Sequence, residues 1–157
     1  MNVWYVNSIL GTFRLEEEND AICGLTLCPD GVPELEPLPR KVCETPLLQE
    51  AEEQLHEYFA GARREFALPL APKGTPFQKA VWAEMCRIPY GETRTYGQLA
   101  AAVGKPKASR AVGGACHCNP IAILQPCHRV VGSTGKLTGY AYGVEMKQYL
   151  LELEQQE

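Results

Sequence analysis

The chain has 157 residues, 45% of them hydrophobic and 22% charged, with 15 basic and 19 acidic side chains for a formal net charge of −4. That balance suits one ordinary domain or two small ones with a packed core, and it excludes a disordered or collagen-like chain. The longest unbroken apolar stretches, such as Ile121 to Leu124, span only a few residues, and no basic segment precedes an apolar run at Met1, so neither a membrane span nor a secretory signal is expected.

The first third reads as strands joined by turns. Residues 3–6, 12–15 and 21–27 are short runs of β-branched, aromatic and aliphatic side chains, broken by Gly11, by Asn19-Asp20 and by Pro29-Asp30-Gly31. They predict a small antiparallel sheet. Residues 33–39, with three prolines in seven positions, read as an irregular connection. From Thr45 the period changes: Thr45 can cap a helix with Pro46 in its first position, and Leu48, Ala51, Leu55 and Tyr58 or Phe59 recur every three or four residues until Gly61. Residues 68–74, containing Pro69, Pro72 and Gly74, read as a linker. The predicted division is therefore a domain at 1–72 and a second at 73–157.

Thr75-Pro76 repeats the cap signature, and Phe77, Val81, Met85 and Ile88 mark one buried face of a second helix ended by Pro89-Tyr90-Gly91. Thr95 caps a short helix over 96–103, closed by Gly104, and Pro106 can start another running to about Cys116. Two short helices joined by Gly104-Lys105-Pro106 have the outline of a helix-turn-helix, which alone is weak evidence. A last helix is predicted over 144–153, with Leu150 and Leu151 available for the core.

Charge follows the same division. Residues 1–72 carry −8, residues 73–140 carry +7, and the remainder carries −3. A one-sided basic segment is built to meet an anion, and nucleic acid is the natural candidate beside a merely solvated basic face.

The seven cysteines, at positions 23, 28, 43, 86, 116, 118 and 127, lack the spacing of a secreted disulfide framework, so reduced thiols are expected, in the cytoplasm or in the nucleus of a eukaryotic cell. Pro126-Cys127-His128-Arg129-Val130 is the most informative stretch. A thiol attacks only as thiolate, and a neighbouring imidazole and positive surroundings favour that form. Adjacent side chains on extended backbone point apart, so His128 would act through a turn or a bridging water. Cys116-His117-Cys118 with Cys127-His128 could offer zinc ligands, but neither group has the usual two- to four-residue separation. Gly113-Gly114 inside a predicted helix costs roughly 1 kcal/mol per glycine relative to alanine. Either close helix packing or the approach of a ligand backbone would offset that cost.

Residues 126–130 resemble the active-site signature of the O6-alkylguanine-DNA alkyltransferases. The resemblance runs through Gly-Glu-Thr-Arg-Thr-Tyr-Gly-Gln-Leu-Ala at 91–100, Ala-Ser-Arg-Ala-Val-Gly-Gly-Ala at 108–115, Asn119-Pro120, residues 126–131 and Thr138-Gly139-Tyr140. It covers nearly all of 75–151, whereas 1–72 matches only in type.

The resemblance implies an α+β protein: a small N-terminal antiparallel sheet with a helix, of ribonuclease H-like type, then a helical, winged-helix or helix-turn-helix-like domain. It implies minor-groove binding to duplex DNA, extrusion of the damaged guanine, and a single irreversible transfer of its O6 alkyl group to Cys127. O4-alkylthymine is a further candidate substrate, no cofactor or metal is implied, and a monomer without membrane attachment is expected.

By the same resemblance, Arg110 fills the gap left by the base, Tyr96 rotates the nucleotide and assists the leaving guanine, and Asn119 braces the turn before the active-site strand. Ala108, Ser109, Gly113 and Gly114 lie against DNA. Cys127 and Val130 offer carbonyls to the guanine amino group, and Tyr140, Ala141 and Tyr142 complete its pocket. His128 is oriented in the family by a glutamate on the last helix, and the position is assigned here to Gln148, with Glu145 or Glu152 as substitutes. An amide there would hold the ring without balancing an imidazolium. Ala141 stands where many relatives have serine, and Tyr142, where glycine is common, narrows the pocket mouth. Two rivals remain: a lesion-binding protein without transfer, against which the presence of Cys127 speaks, and a zinc-containing DNA-binding regulator using Cys116, Cys118 and Cys127.

Overall fold

In the computed structural model, which describes residues 1–36, 40–135 and 140–156, an α+β chain forms two units, Met1–Pro72 and Lys73–Glu157, each with its own core. Pro37 and Pro39 of the irregular connection, Lys136 of the basic segment and Thr138-Gly139 of the last motif lie outside the described residues.

In the first unit, β1 (Asn2–Ser8), β2 (Gly11–Glu18), β3 (Ala21–Cys28) and β4 (Lys41–Val42) form one sheet in the order β3-β2-β1-β4. The first three strands pair antiparallel through two-residue hairpins. Asn19 and Asp20 carry the hairpin turn with φ of 53° and 61°, a left-handed pair these residues tolerate. The expected break at Gly11 falls two residues early: Ile9 and Leu10 make the turn, closed by Ser8 Oγ accepting from Leu10 N at 3.1 Å and donating to Gly11 O at 2.8 Å. Apolar Ile9-Leu10 carries no turn signal, because the signal lies in Ser8.

The sheet is not purely antiparallel, since β4 pairs parallel to β1 through Asn2–Lys41 and Val3–Val42. Two exposed residues are too few to show a strand period. The expected linker is also partly sheet: Ile22 N donates to Pro69 O and Ala71 N to Ile22 O, each at 2.8 Å. The helix α1 (Pro46–Phe59) begins where Thr45 Oγ1 accepts from Leu48 N and donates to Glu17 Oε2, tying cap to sheet. Leu48, Ala51, Leu55 and Tyr58 are buried.

The second unit is built on α2 (Pro76–Met85), α3 (Tyr96–Ala102), α4 (Ser109–His117) and α5 (Val144–Leu153), with a parallel pair of short strands, β5 (Arg94–Thr95) and β6 (Val130–Val131). Both α2 and α3 start in reciprocal capping boxes, Thr75 with Gln78 and Thr95 with Gln98. Trp82, buried in α2, donates Nε1–H to Ala115 O on α4 at 2.8 Å. The α4 helix starts at Ser109 rather than Pro106, because Lys105–Ala108 closes as a separate turn, Ala108 N to Lys105 O at 2.9 Å, in which Pro106 takes the second position that its fixed φ favours. Among the described residues no helix is long and apolar enough to cross a membrane.

Candidate active site

The chain from 119 to 131 is a knot of short backbone bonds that leaves almost nothing to solvent. Asn119 Nδ2 donates to Gln125 O at 2.7 Å, while its Oδ1 accepts from Ile121 N at 3.1 Å and from Gln125 Nε2 at 2.7 Å. Between these anchors Leu124 N donates to Ala122 O at 2.7 Å around Ile123, whose φ of 69° is a left-handed conformation that a β-branched residue rarely adopts. Such strain persists only where surrounding bonds impose it, and here the Asn119 bridge does so. The knot delivers Cys127 to the start of a single 3-10 turn, Cys127–Arg129, which leads into β6.

Cys127 is only 5% exposed. Burial pushes its thiol above the usual range, against the opposing pull of the Asn119 side chain, the Lys147 charge, its own backbone and the Tyr140 hydroxyl. His128 is fully buried and points elsewhere, with Nε2 2.7 Å from Glu154 Oε2. Burial lowers its pKa despite that carboxylate, with Arg129 and Lys147 also disfavouring a further positive charge. A neutral imidazole facing a carboxylate carries its proton on Nε2, which leaves Nδ1 as an acceptor. Nδ1 is buried and has no hydrogen-bond partner among the described residues. Arg129 grips the same carboxylate with two bonds, Nε to Oε1 at 2.8 Å and Nη2 to Oε2 at 3.0 Å, and donates Nη1–H to Ile88 O at 2.7 Å.

This geometry corrects the assignment of Gln148. Gln148 is exposed and donates to Glu152 Oε1 at 3.0 Å, and Glu145 and Glu152 are themselves exposed. The partner of His128 is Glu154, immediately after α5, where Gly91 N also reaches it at 3.4 Å. The reason is helical phase: Lys147, Leu150 and Glu154 share the inward face, while Gln148 lies one residue, about 100°, around from it. Lys147, which sequence reasoning also passed over, is fully buried, with Nζ donating to Val130 O and lying 5.8 Å from the centre of the Tyr96 ring.

The other predicted residues divide between pocket and surface. Tyr96, half-buried at the start of α3, lies against α4, since a Cβ added at Gly113 would stand 4.0 Å from its ring. A Cβ at Gly114 would meet nothing within 4 Å. Close packing within the protein therefore explains neither glycine, and Gly114 opens on the surface that also exposes Ser109 and Arg110; Ala108 is half-buried. Tyr140 is buried with its ring edge-on to Tyr142 at 5.8 Å, Tyr142 is half-buried, and Ala141 is exposed. Cys116 Sγ sits 3.6 Å from Met85 Sδ, and Cys118 and His117 are exposed. Among the described residues no three His, Cys, Asp or Glu side chains are grouped to hold a metal ion.

Comparisons with known proteins bear on both units. Residues 76–156 match the family model described as 6-O-methylguanine DNA methyltransferase, DNA binding domain, and residues 3–72 match that of its ribonuclease-like domain. The methylated-DNA–protein-cysteine methyltransferase of Methanosarcina barkeri is 60% identical over 107 residues, covering 68% of this chain and 68% of that protein. The constitutive methylated-DNA–protein-cysteine methyltransferase of Bacillus subtilis is 49% identical over 148 residues, 92% of this chain and 90% of that one. The crystal structure of Mycobacterium tuberculosis OGT in complex with DNA superposes with a TM-score of 0.89 at 40% identity, covering 99% of this chain and 93% of the other.

Proposed function

The chain belongs to the 6-O-methylguanine DNA methyltransferase family, and from that premise we propose that it repairs O6-alkylguanine in duplex DNA by moving the alkyl group onto its own Cys127. The observation that carries this reading is a buried cysteine followed in the chain by a histidine held toward its neutral form, whose Nε2 is fixed by Glu154 and whose Nδ1 has no hydrogen-bond partner among the described residues. Such a pair supplies a thiol and a neutral imidazole that a single water could connect, the minimum that thiol alkylation requires.

In this proposal the second unit meets the minor groove with α4 as its reading helix. Ser109 and Arg110 are exposed on the first turn of that helix, and Gly113 and Gly114 let it lie close to the sugar-phosphate backbone. Arg110 fills the space of the extruded nucleotide. The flipped purine then enters among Tyr140, Ala141 and Tyr142, presenting its amino group to the carbonyls of Cys127 and Val130, with Tyr96 assisting its departure. The Ala141 backbone N–H stands in for a serine donor.

A water between Cys127 Sγ and His128 Nδ1 would carry the thiol proton away as the sulfur attacks the alkyl carbon in line. The S–H and carbon–O6 bonds break, a carbon–sulfur bond forms, and the proton ends on the departing guanine. A thioether has no easy leaving group at neutral pH, so each molecule reacts once. The reaction uses no diffusible cofactor, and a monomer suffices. Seven free cysteines suit a reducing compartment such as the cytoplasm.

Intact-protein mass after incubation with a duplex containing O6-methylguanine tests the reading. One added methylene is expected on the native chain and none on Cys127→Ser. An unmodified native chain after prolonged incubation overturns it.

A further inference from the structure

An ammonium with no exposed surface is a costly core residue, and Lys147 is one. It projects from the middle of α5 onto the turn that carries the cysteine: Nζ donates to Val130 O, and Val130 N donates to Cys127 O. The Tyr96 ring lies 5.8 Å from the same ammonium, a distance at which a cation is drawn to an aromatic face. A methionine would fill the same volume without a desolvation cost, so packing alone does not account for a charge here.

We propose that Lys147 is a positioning residue for alkyl transfer: its buried ammonium is the counter-charge against which the Cys127 thiolate forms, and it fixes the Val130 carbonyl that faces the purine. This rests on Cys127 being the acceptor.

The groups around the sulfur leave few other sources of positive charge. From its own turn come His128, held neutral, and Arg129, engaged with Glu154 and the Ile88 carbonyl. From α4 comes Cys116, whose thiol burial pushes up to about 12, and from the loop before α5 comes Tyr140, whose hydroxyl is also pushed up. Asn119 adds a neutral dipole, and Tyr96 on α3 offers its ring to the ammonium. Lys147 is the cation whose charge opposes the effect of burial at Cys127. The coupling is mutual, since burial lowers the Lys147 pKa while Cys127 and Cys116 draw it back up.

The test compares Lys147→Met and Lys147→Arg with the native chain in two assays, single-turnover methyl transfer from O6-methylguanine duplex and DNA-free alkylation of Cys127 by iodoacetamide, each followed across pH by peptide mass. Lys147→Met is expected to unfold at the native temperature or above it, yet to react about tenfold more slowly at neutral pH, with its pH midpoint raised by about one unit. Lys147→Arg, which keeps the charge, is expected to bring the midpoint back toward the native value. A native midpoint in Lys147→Met overturns the proposal, whatever that variant's stability. A native chain that never takes the methyl group would instead defeat the function proposed above, and the iodoacetamide profile would still decide on Lys147.

Discussion

Glu154 shows how one carboxylate can hold a site together. Both of its oxygens are committed, to His128, to the Arg129 fork and to the Gly91 amide. The guanidinium offsets a charge that could not otherwise be buried. Glu154→Gln leaves Arg129 without its counter-charge, and a loss of roughly 3 kcal/mol or more in a denaturant titration is expected. Gln148→Ala, at the position that the family resemblance pointed to, should change stability by less than about 0.5 kcal/mol and leave the transfer rate unaltered. The sign of the pH dependence follows from His128. Its folded-state pKa lies below the ordinary 6.5, so on acidification the unfolded chain takes up a proton that the folded chain refuses. Stability held above pH 6.5 is lost as the pH falls beneath it, and a thermal-unfolding series into the acid range should show a slope that His128→Asn flattens.

Among the elements, α4 separates folding from recognition. Because an alanine side chain at position 114 would meet open space, Gly114→Ala should raise stability by up to about 1 kcal/mol in a denaturant titration. The same variant should bind duplex DNA more weakly if that surface faces the groove, and unchanged DNA affinity would remove the glycine from the interface. Elements with a strong local signature were legible: the Thr-Pro caps, the α1 stripe and the bounds of α5 could be read from residue order alone. What escaped depends on distant partners. β4 exists because two residues lie along β1, and Pro106 sits in a turn because Lys105 and Ala108 close around it. The cysteine and its histidine were legible as a motif. Glu154 and Lys147 were not, because a residue's place on the inward face of α5 follows from phase rather than from spacing to a signature. The i, i+3, i+7 pattern of Lys147, Leu150 and Glu154 was the signal available.

Across the whole molecule, charge is segregated between the units rather than spread. The N-terminal 72 residues carry −8, and much of it is exposed on and beside α1, including Glu44 and Glu53. A negative field on one unit repels the polyanion that the other must approach, and so disfavours contacts in the wrong orientation. Glu44→Gln with Glu53→Gln should therefore strengthen binding to undamaged duplex at low ionic strength in a fluorescence-anisotropy titration, and the gain should vanish in high salt. The chain order of the site has its own consequence. Glu154 follows His128 by 26 positions, so synthesis makes the imidazole well before the carboxylate that holds it. At about 5–20 residues per second, translation leaves that interval at a second or more. During it His128 and Arg129 lack the carboxylate they share, so this part of the fold closes only once the residue just after α5 has been made.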